Sequence, residues 1–214
     1  MSFTRISWVP VKSDVDDAAL APLASAGAAL SKQPGIGSIY QGRIVDGTPS
    51  LYALTTWASE DAAKAAESSA EFGEIEGILA GIIDTSSAKP YTNLVNLSKP
   101  FDSIASPVTR IIAIFLPGSV DKAAFAAKLE EMDAAIAAAN LPGYKGSVNG
   151  WAVEQIEHPS VPGGPANVFL SITGWDSIEA SAAAATAPGM SENHAALAAF
   201  GGIFEVHHVS LTKA

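Results

Sequence analysis

The second half of this chain repeats the first. Thr4-Arg5-Ile6 returns as Thr109-Arg110-Ile111, and Pro34-Gly35 with a later Gly42 returns as Pro142-Gly143 with a later Gly150. Trp57-Ala58-Ser59 is echoed by Trp175-Asp176-Ser177, and Val95-Asn96-Leu97-Ser98-Lys99 by Val209-Ser210-Leu211-Thr212-Lys213. Matches that keep one order define an internal duplication, and a duplication limits the fold before any residue has a role. In a chain of 214 residues each copy is about a hundred residues long, a small domain rather than a solenoid module. The predicted halves are 1–100 and 106–214, joined by a short segment with Pro100 and Pro107 at its ends.

Hydrophobic periodicity gives both halves the same plan. Residues 3–11 and 107–116 read as strands; Ile111, Ile112, Ile114, Phe115 and Leu116 make the second almost continuously apolar, which implies burial on both faces. A helix follows in each half. Phe125, Leu129, Met132 and Ile136 form its apolar stripe in the second half, with Ser119 or Asp121 as the cap. In the first half Leu20, Leu23, Gly27 and Leu30 mark the equivalent face, and Pro22 must sit in the first turn or kink the helix. Pro34-Gly35 and Pro142-Gly143 end these helices. Strands over 36–45 and 50–57 are joined through Asp46-Gly47, a hairpin signal. Their counterparts, 144–155 and 167–175, are joined by a longer loop through His158-Pro159 and Gly163-Gly164-Pro165. Alanine-rich helical stretches follow each tryptophan, and strands over 91–98 and 203–212 close the halves. The order is strand, helix, strand, strand, helix, strand, twice: the ferredoxin-like βαββαβ pattern of an α+β protein.

Trp175-Asp176-Ser177-Ile178-Glu179, then Ala187-Pro188-Gly189-Met190 and a strand shortly after, resembles one half of the dimeric α+β-barrel superfamily. That group includes antibiotic-biosynthesis-type monooxygenases, EthD-like proteins and stress-responsive A/B-barrel proteins. The resemblance covers both halves. It implies two antiparallel sheets packed into an α+β barrel, here a pseudo-dimer within one chain that leaves homo-oligomer formation open. It also implies binding, or cofactor-free conversion of cyclase or monooxygenase type, of a small hydrophobic, aromatic or polyketide-like molecule. The rival is a non-enzymatic stress-responsive or ligand-binding barrel. Fold does not decide between them.

Composition narrows the chemistry. The formal net charge is −10 and only 16% of residues are charged, which argues against nucleic acid and anionic membranes as partners. There are no cysteines, so thiolate nucleophiles, zinc–thiolate sites and iron–sulfur clusters are excluded. Neither a signal-peptide pattern nor an apolar run of spanning length is present, and a cytoplasmic protein is expected. Phosphate loops and Gly-x-Ser-x-Gly elbows are absent, so no nucleotide or flavin cofactor is implied.

All the histidines, His158, His194, His207 and His208, lie in the second half; Asn93 and Leu94 stand where the first half would carry His207 and His208. A purely structural duplication would not place imidazoles in one copy alone. His207 and His208 point to opposite faces of a strand. Because Val209 and Leu211 share a face with His207, that face is expected to meet the helices, leaving His208 in the interior as the first catalytic candidate and His207 as the second. His194, on the short helix before the last strand, and the unduplicated aromatics Tyr40 and Trp151 are the ligand-binding candidates. Trp57 and Trp175 are duplicated and read as core. The loop carrying His158 could cover one mouth of a barrel. Glu205 and His207 with His194 nearby offer a carboxylate–imidazole set, but no HxH, HxxxH or HExxH spacing supports a metal site, and no metal is implied. Arg5 and Arg110 are expected at exposed strand starts, because a buried guanidinium is costly unless paired.

Overall fold

The computed structural model of the protein describes residues 2–86 and 89–214. The chain divides into two compact units, Met1–Asp102 with Val209–Ala214, and Ser103–His208. The first contains β1 (Ser2–Pro10), α1 (Asp17–Leu30), β2 (Ile36–Ile44), β3 (Ser50–Trp57), α2 (Glu60–Ala66), α3 (Ala70–Ile82) and β4 (Tyr91–Leu97). The second contains β5 (Val108–Leu116), α4 (Lys122–Ala138), β6 (Tyr144–Ala152), β7 (Asn167–Trp175), α5 (Ile178–Ala185), α6 (Met190–Ala198) and the start of β8 (Ile203–Lys213). Both units show the expected βαββαβ order, with the second helix split in two.

Strand order repeats as well. The first sheet runs β4-β1-β3-β2 and the second β8-β5-β7-β6, the ferredoxin-like arrangement in each. The ladders are antiparallel, with Phe3 opposite Trp57 in one copy and Val108 opposite Trp175 in the other. The end of β8 belongs to the first unit, where it pairs with β2 from Val209 opposite Ile44 to Lys213 opposite Tyr40. This approach needs glycine at position 42: a Cβ there would lie 1.8 Å from the Ser210 carbonyl oxygen.

The helices start and stop where local chemistry dictates. Ser59 caps α2 by accepting the Ala62 N–H, and Ser177 caps α5 by accepting the Ala180 N–H. Gly35 and Gly143 take left-handed conformations, φ 81° and 79°, after the first helix of each unit. Pro22 falls inside α1 rather than in its first turn, so the Ala18 carbonyl loses its usual donor. Phe125, Leu129, Met132 and Ile136 are all buried and pack with Ile114, Phe169 and Leu197 as the core of the second unit. Leu30, Ile39, Trp57, Ala63 and Ala66 do the same in the first. Trp57 and Trp175 are 3% and 2% exposed, the core role their duplication implied. The connecting segment is more than a linker: Phe101–Ile104 forms a 3-10 turn with Phe101 and Ile104 buried. Among the described residues no helix is long and apolar enough to cross a membrane.

Candidate functional site

Alternation along β5 sends Arg110, Ile112 and Ile114 to the helix-covered face of the second sheet and Ile111, Ala113 and Phe115 to the other. On the helix-covered face a cavity of about 280 Å³ opens. Its floor is Arg110, Ile112 and Ile114 of β5, Ser171 of β7, and Phe204 and Val206 of β8. Its roof is Leu129 and Met132 of α4 and His194, Leu197 and Ala198 of α6. The wall is therefore hydrocarbon interrupted by a guanidinium, a hydroxyl and an imidazole.

Those polar groups are unusual. Arg110 has no hydrogen-bond or ion-pair partner among the described residues, and burial pulls its pKa down from the ordinary arginine value. Ser171 is 3% exposed, and its hydroxyl likewise has no hydrogen-bond partner among the described residues. His194 is half-buried; burial first, and the neighbouring Arg110 charge second, lower its pKa from the usual 6.5. It is therefore held as neutral imidazole at neutral pH, able to accept a proton.

The exposed placement expected for the duplicated arginines is overturned. Arg5 is 6% exposed; its guanidinium donates to the Ala63 carbonyl at 3.0 Å, forms an ion pair with Glu67 and lies over the Phe72 ring at 4.9 Å. Carboxylate, carbonyl and ring replace most of the water that Arg5 loses, while its buried Nε has no hydrogen-bond partner among the described residues. Arg110 is drawn inward by the same strand phase.

Of the histidines, His194 lines the cavity. His208 faces the helices, not the opposite face as expected: its Nε2 lies 2.9 Å from Oγ of the buried Ser181 on α5. The phase of β8 follows Phe204 and Val206, which close the cavity under α6. His207 accordingly lies on the other face with Glu205 and Val209. There Glu205 meets His158, Oε1 to Nε2 at 3.4 Å, and the His158 ring stacks on Phe115 with centroids 4.2 Å apart. The loop histidine is thus folded onto the sheet. Glu205 and His194 sit on opposite faces, so the Glu205–His207–His194 set is not assembled, and no cluster of metal-ligating side chains occurs among the described residues.

Tyr40 and Trp151 do not line the cavity. Trp151 packs edge-on against Phe125 and Phe169, at 5.6 and 5.0 Å, with Lys122 over its ring; it is part of the aromatic core beside the cavity. Tyr40, in the first unit, donates its hydroxyl to Asp102 at 2.9 Å and meets Phe101 edge-on at 4.8 Å. Ser38 and Lys213 also donate to Asp102, at 2.6 and 2.8 Å. Burial works against ionisation of this carboxyl, but the hydrogen bonds from Lys213, Ser38 and Tyr40 outweigh it and hold Asp102 at about 2. Burial, then the Asp102 carboxylate, push the Tyr40 phenol up. Tyr40 is thus tied into a polar network around Asp102 in the first unit.

Sequence reasoning missed Arg110 and Ser171 as cavity residues. Arg110 was visible as a duplicated arginine but judged by desolvation cost alone; Ser171 sits in a strand with no local signal.

Solved structures share this fold across the whole chain, three of them as follows. A candidate monooxygenase from Lactobacillus acidophilus NCFM aligns with a TM-score of 0.61 at 14% identity, over 100% of this chain and 95% of that one. A candidate monooxygenase from Fusobacterium nucleatum subsp. nucleatum gives 0.66 at 7%, over 99% and 93%. An anthrone oxidase-like protein gives 0.65 at 13%, over 100% and 93%. At these identities the likeness is one of fold, the ferredoxin-like βαββαβ unit carried twice in one chain. No protein-family model and no curated protein matches the sequence.

Proposed function

We propose that the cavity of the second unit binds a small aromatic molecule and that the protein converts it without a cofactor, by oxygenation or by base-initiated cyclisation. The observation that carries this reading is the apolar cavity of about 280 Å³ with the His194 imidazole in its wall. An apolar cavity of about 150 Å³ holds one benzene, so this one suits roughly two or three fused rings rather than a long polyketide. The fold shared with candidate monooxygenases and an anthrone oxidase-like protein supports the oxygenation branch.

His194 takes a proton from an acidic C–H or phenol of the bound ring system. In oxygenation the resulting carbanion gives its electrons to dioxygen, forming a C–O bond and a hydroperoxide. Loss of water from that carbon leaves a carbonyl: one substrate and one dioxygen become one quinone and one water. In cyclisation the same carbanion attacks a carbonyl carbon of the ligand, and the proton returns to the new alkoxide.

Oxygen uptake with anthrone as the probe tests this reading. His194 must be neutral to act, so the rate should fall as pH drops below about 6.5 and through the lower folded-state pKa. His194→Gln should remove that dependence and lower turnover by about a hundredfold or more. Anthrone bound but not oxidised would leave a non-enzymatic ligand-binding protein; anthrone neither bound nor oxidised would sink the proposal.

A further inference from the structure

The two copies of the duplicated arginine occupy the same place in their ladders, Arg5 opposite Thr55 and Arg110 opposite Thr173. The capping serines Ser59 and Ser177 bring the following helices into register as well. Eight residues beyond each cap the copies differ: Glu67 in the first, Ala185 in the second. Glu67 is the counter-ion of Arg5. The second copy has lost that carboxylate, and no other described residue replaces it. A second difference lies on the neighbouring strand, two residues before the duplicated threonine. Ala53 of the first unit becomes Ser171 in the second, a buried hydroxyl in the cavity floor. One substitution removes the negative charge that answers the arginine, and the other adds a donor to the cavity floor that Arg110 shares.

We infer that the cavity selects ligands bearing an anionic oxygen group, a carboxylate or a phenolate, received by Arg110 and Ser171 where the first unit supplies its own Glu67 side chain. This rests on the ligand-binding reading above and names the ligand's polar end. A half-buried guanidinium without a carboxylate is unfavourable as it stands. An anion from solution gives it the charge-assisted, forked hydrogen bonds that it lacks, while the ring system fills the hydrocarbon wall. His194, beside Arg110, adds a further donor or a neutral base at the same end. The first unit shows what the same strand position does when its counter-ion is built in: Arg5 is sealed by Glu67 and Phe72.

The test is calorimetric titration of the whole chain near neutral pH with 2-naphthoate and its uncharged isostere 2-naphthamide. Wild type should bind 2-naphthoate about tenfold or more tightly than 2-naphthamide. Arg110→Gln should abolish the preference. Ala185→Glu, which restores the first unit's carboxylate on a helix surface, should weaken 2-naphthoate by a similar factor and leave 2-naphthamide unchanged. Melting curves of both variants check that they fold. Binding of 2-naphthol alongside, with or without proton release, tells phenolate from carboxylate recognition. Equal binding of naphthoate and naphthamide by wild type, or a preference that survives Arg110→Gln, overturns the anion site while leaving the apolar cavity intact. Binding of none of these probes overturns both.

Discussion

A guanidinium withdrawn from water has to be answered by another group, and the two Thr-Arg-Ile copies answer it differently. Arg5 meets a carboxylate, a carbonyl and a ring; Arg110 meets a cavity. The replacement of Glu67 by Ala185 can be read from the duplicated sequence, but its meaning depends on knowing that both arginines point inward. Strand phase decides that, and it could not be set from β5 because both of its faces are apolar. The same ambiguity misplaced His208. Apolar residues flank it on either face of β8, and only the cavity-lining Phe204 and Val206 fix the phase. The ring of His208 is bonded to buried Ser181 on the helix-covered side, and a structural role for it makes a prediction. His208→Ala should cost about 1–3 kcal/mol in chemical denaturation and leave 2-naphthoate affinity as in wild type. Weakened binding at undiminished stability would instead put His208 in the cavity.

At the scale of elements the sequence was readable wherever local chemistry and periodicity agree. The Asp46-Gly47 hairpin, the Pro-Gly pairs after the first helices, the stripe on α4 and the helical stretches after Trp57 and Trp175 all appear as anticipated. The sequence left Pro22 in the first turn or at a kink, and the start of α1 at Asp17 puts it beyond the first turn. The Asp16 side chain, accepting from the Ala19 N–H, sets that start. A proline inside a helix costs about 3 kcal/mol relative to alanine, and its stiffening of the unfolded chain returns up to about 1 kcal/mol. Pro22 is exposed, so no packing is lost on substitution. Pro22→Ala should therefore stabilise the protein by about 2 kcal/mol in urea melts. An unchanged or lower stability would mean that the Ala18 carbonyl is already satisfied by solvent.

At the scale of the whole molecule the duplication accounts for the repeated βαββαβ order, while the division of β8 between the units is invisible to sequence patterns, since an uninterrupted strand carries no mark of changing partners. Its end brings Lys213 to Asp102. Asp102 titrates at about 2 against an ordinary 3.8, so its folded state favours the ionised form. The stability it adds is present above about pH 4 and is lost as pH falls toward 2. The pair is partly exposed, so the effect should be modest. Urea melts of wild type and Asp102→Asn should differ at neutral pH and converge between about pH 4 and pH 2; a gap that stays constant would remove Asp102 from the acid response. The shared strand also governs timing. During synthesis β2 emerges early, but Val209–Lys213, which cover its edge, are made only after the entire second unit. Throughout that interval the nascent first unit presents an uncovered strand edge, the kind of surface to which chaperones and neighbouring nascent chains bind.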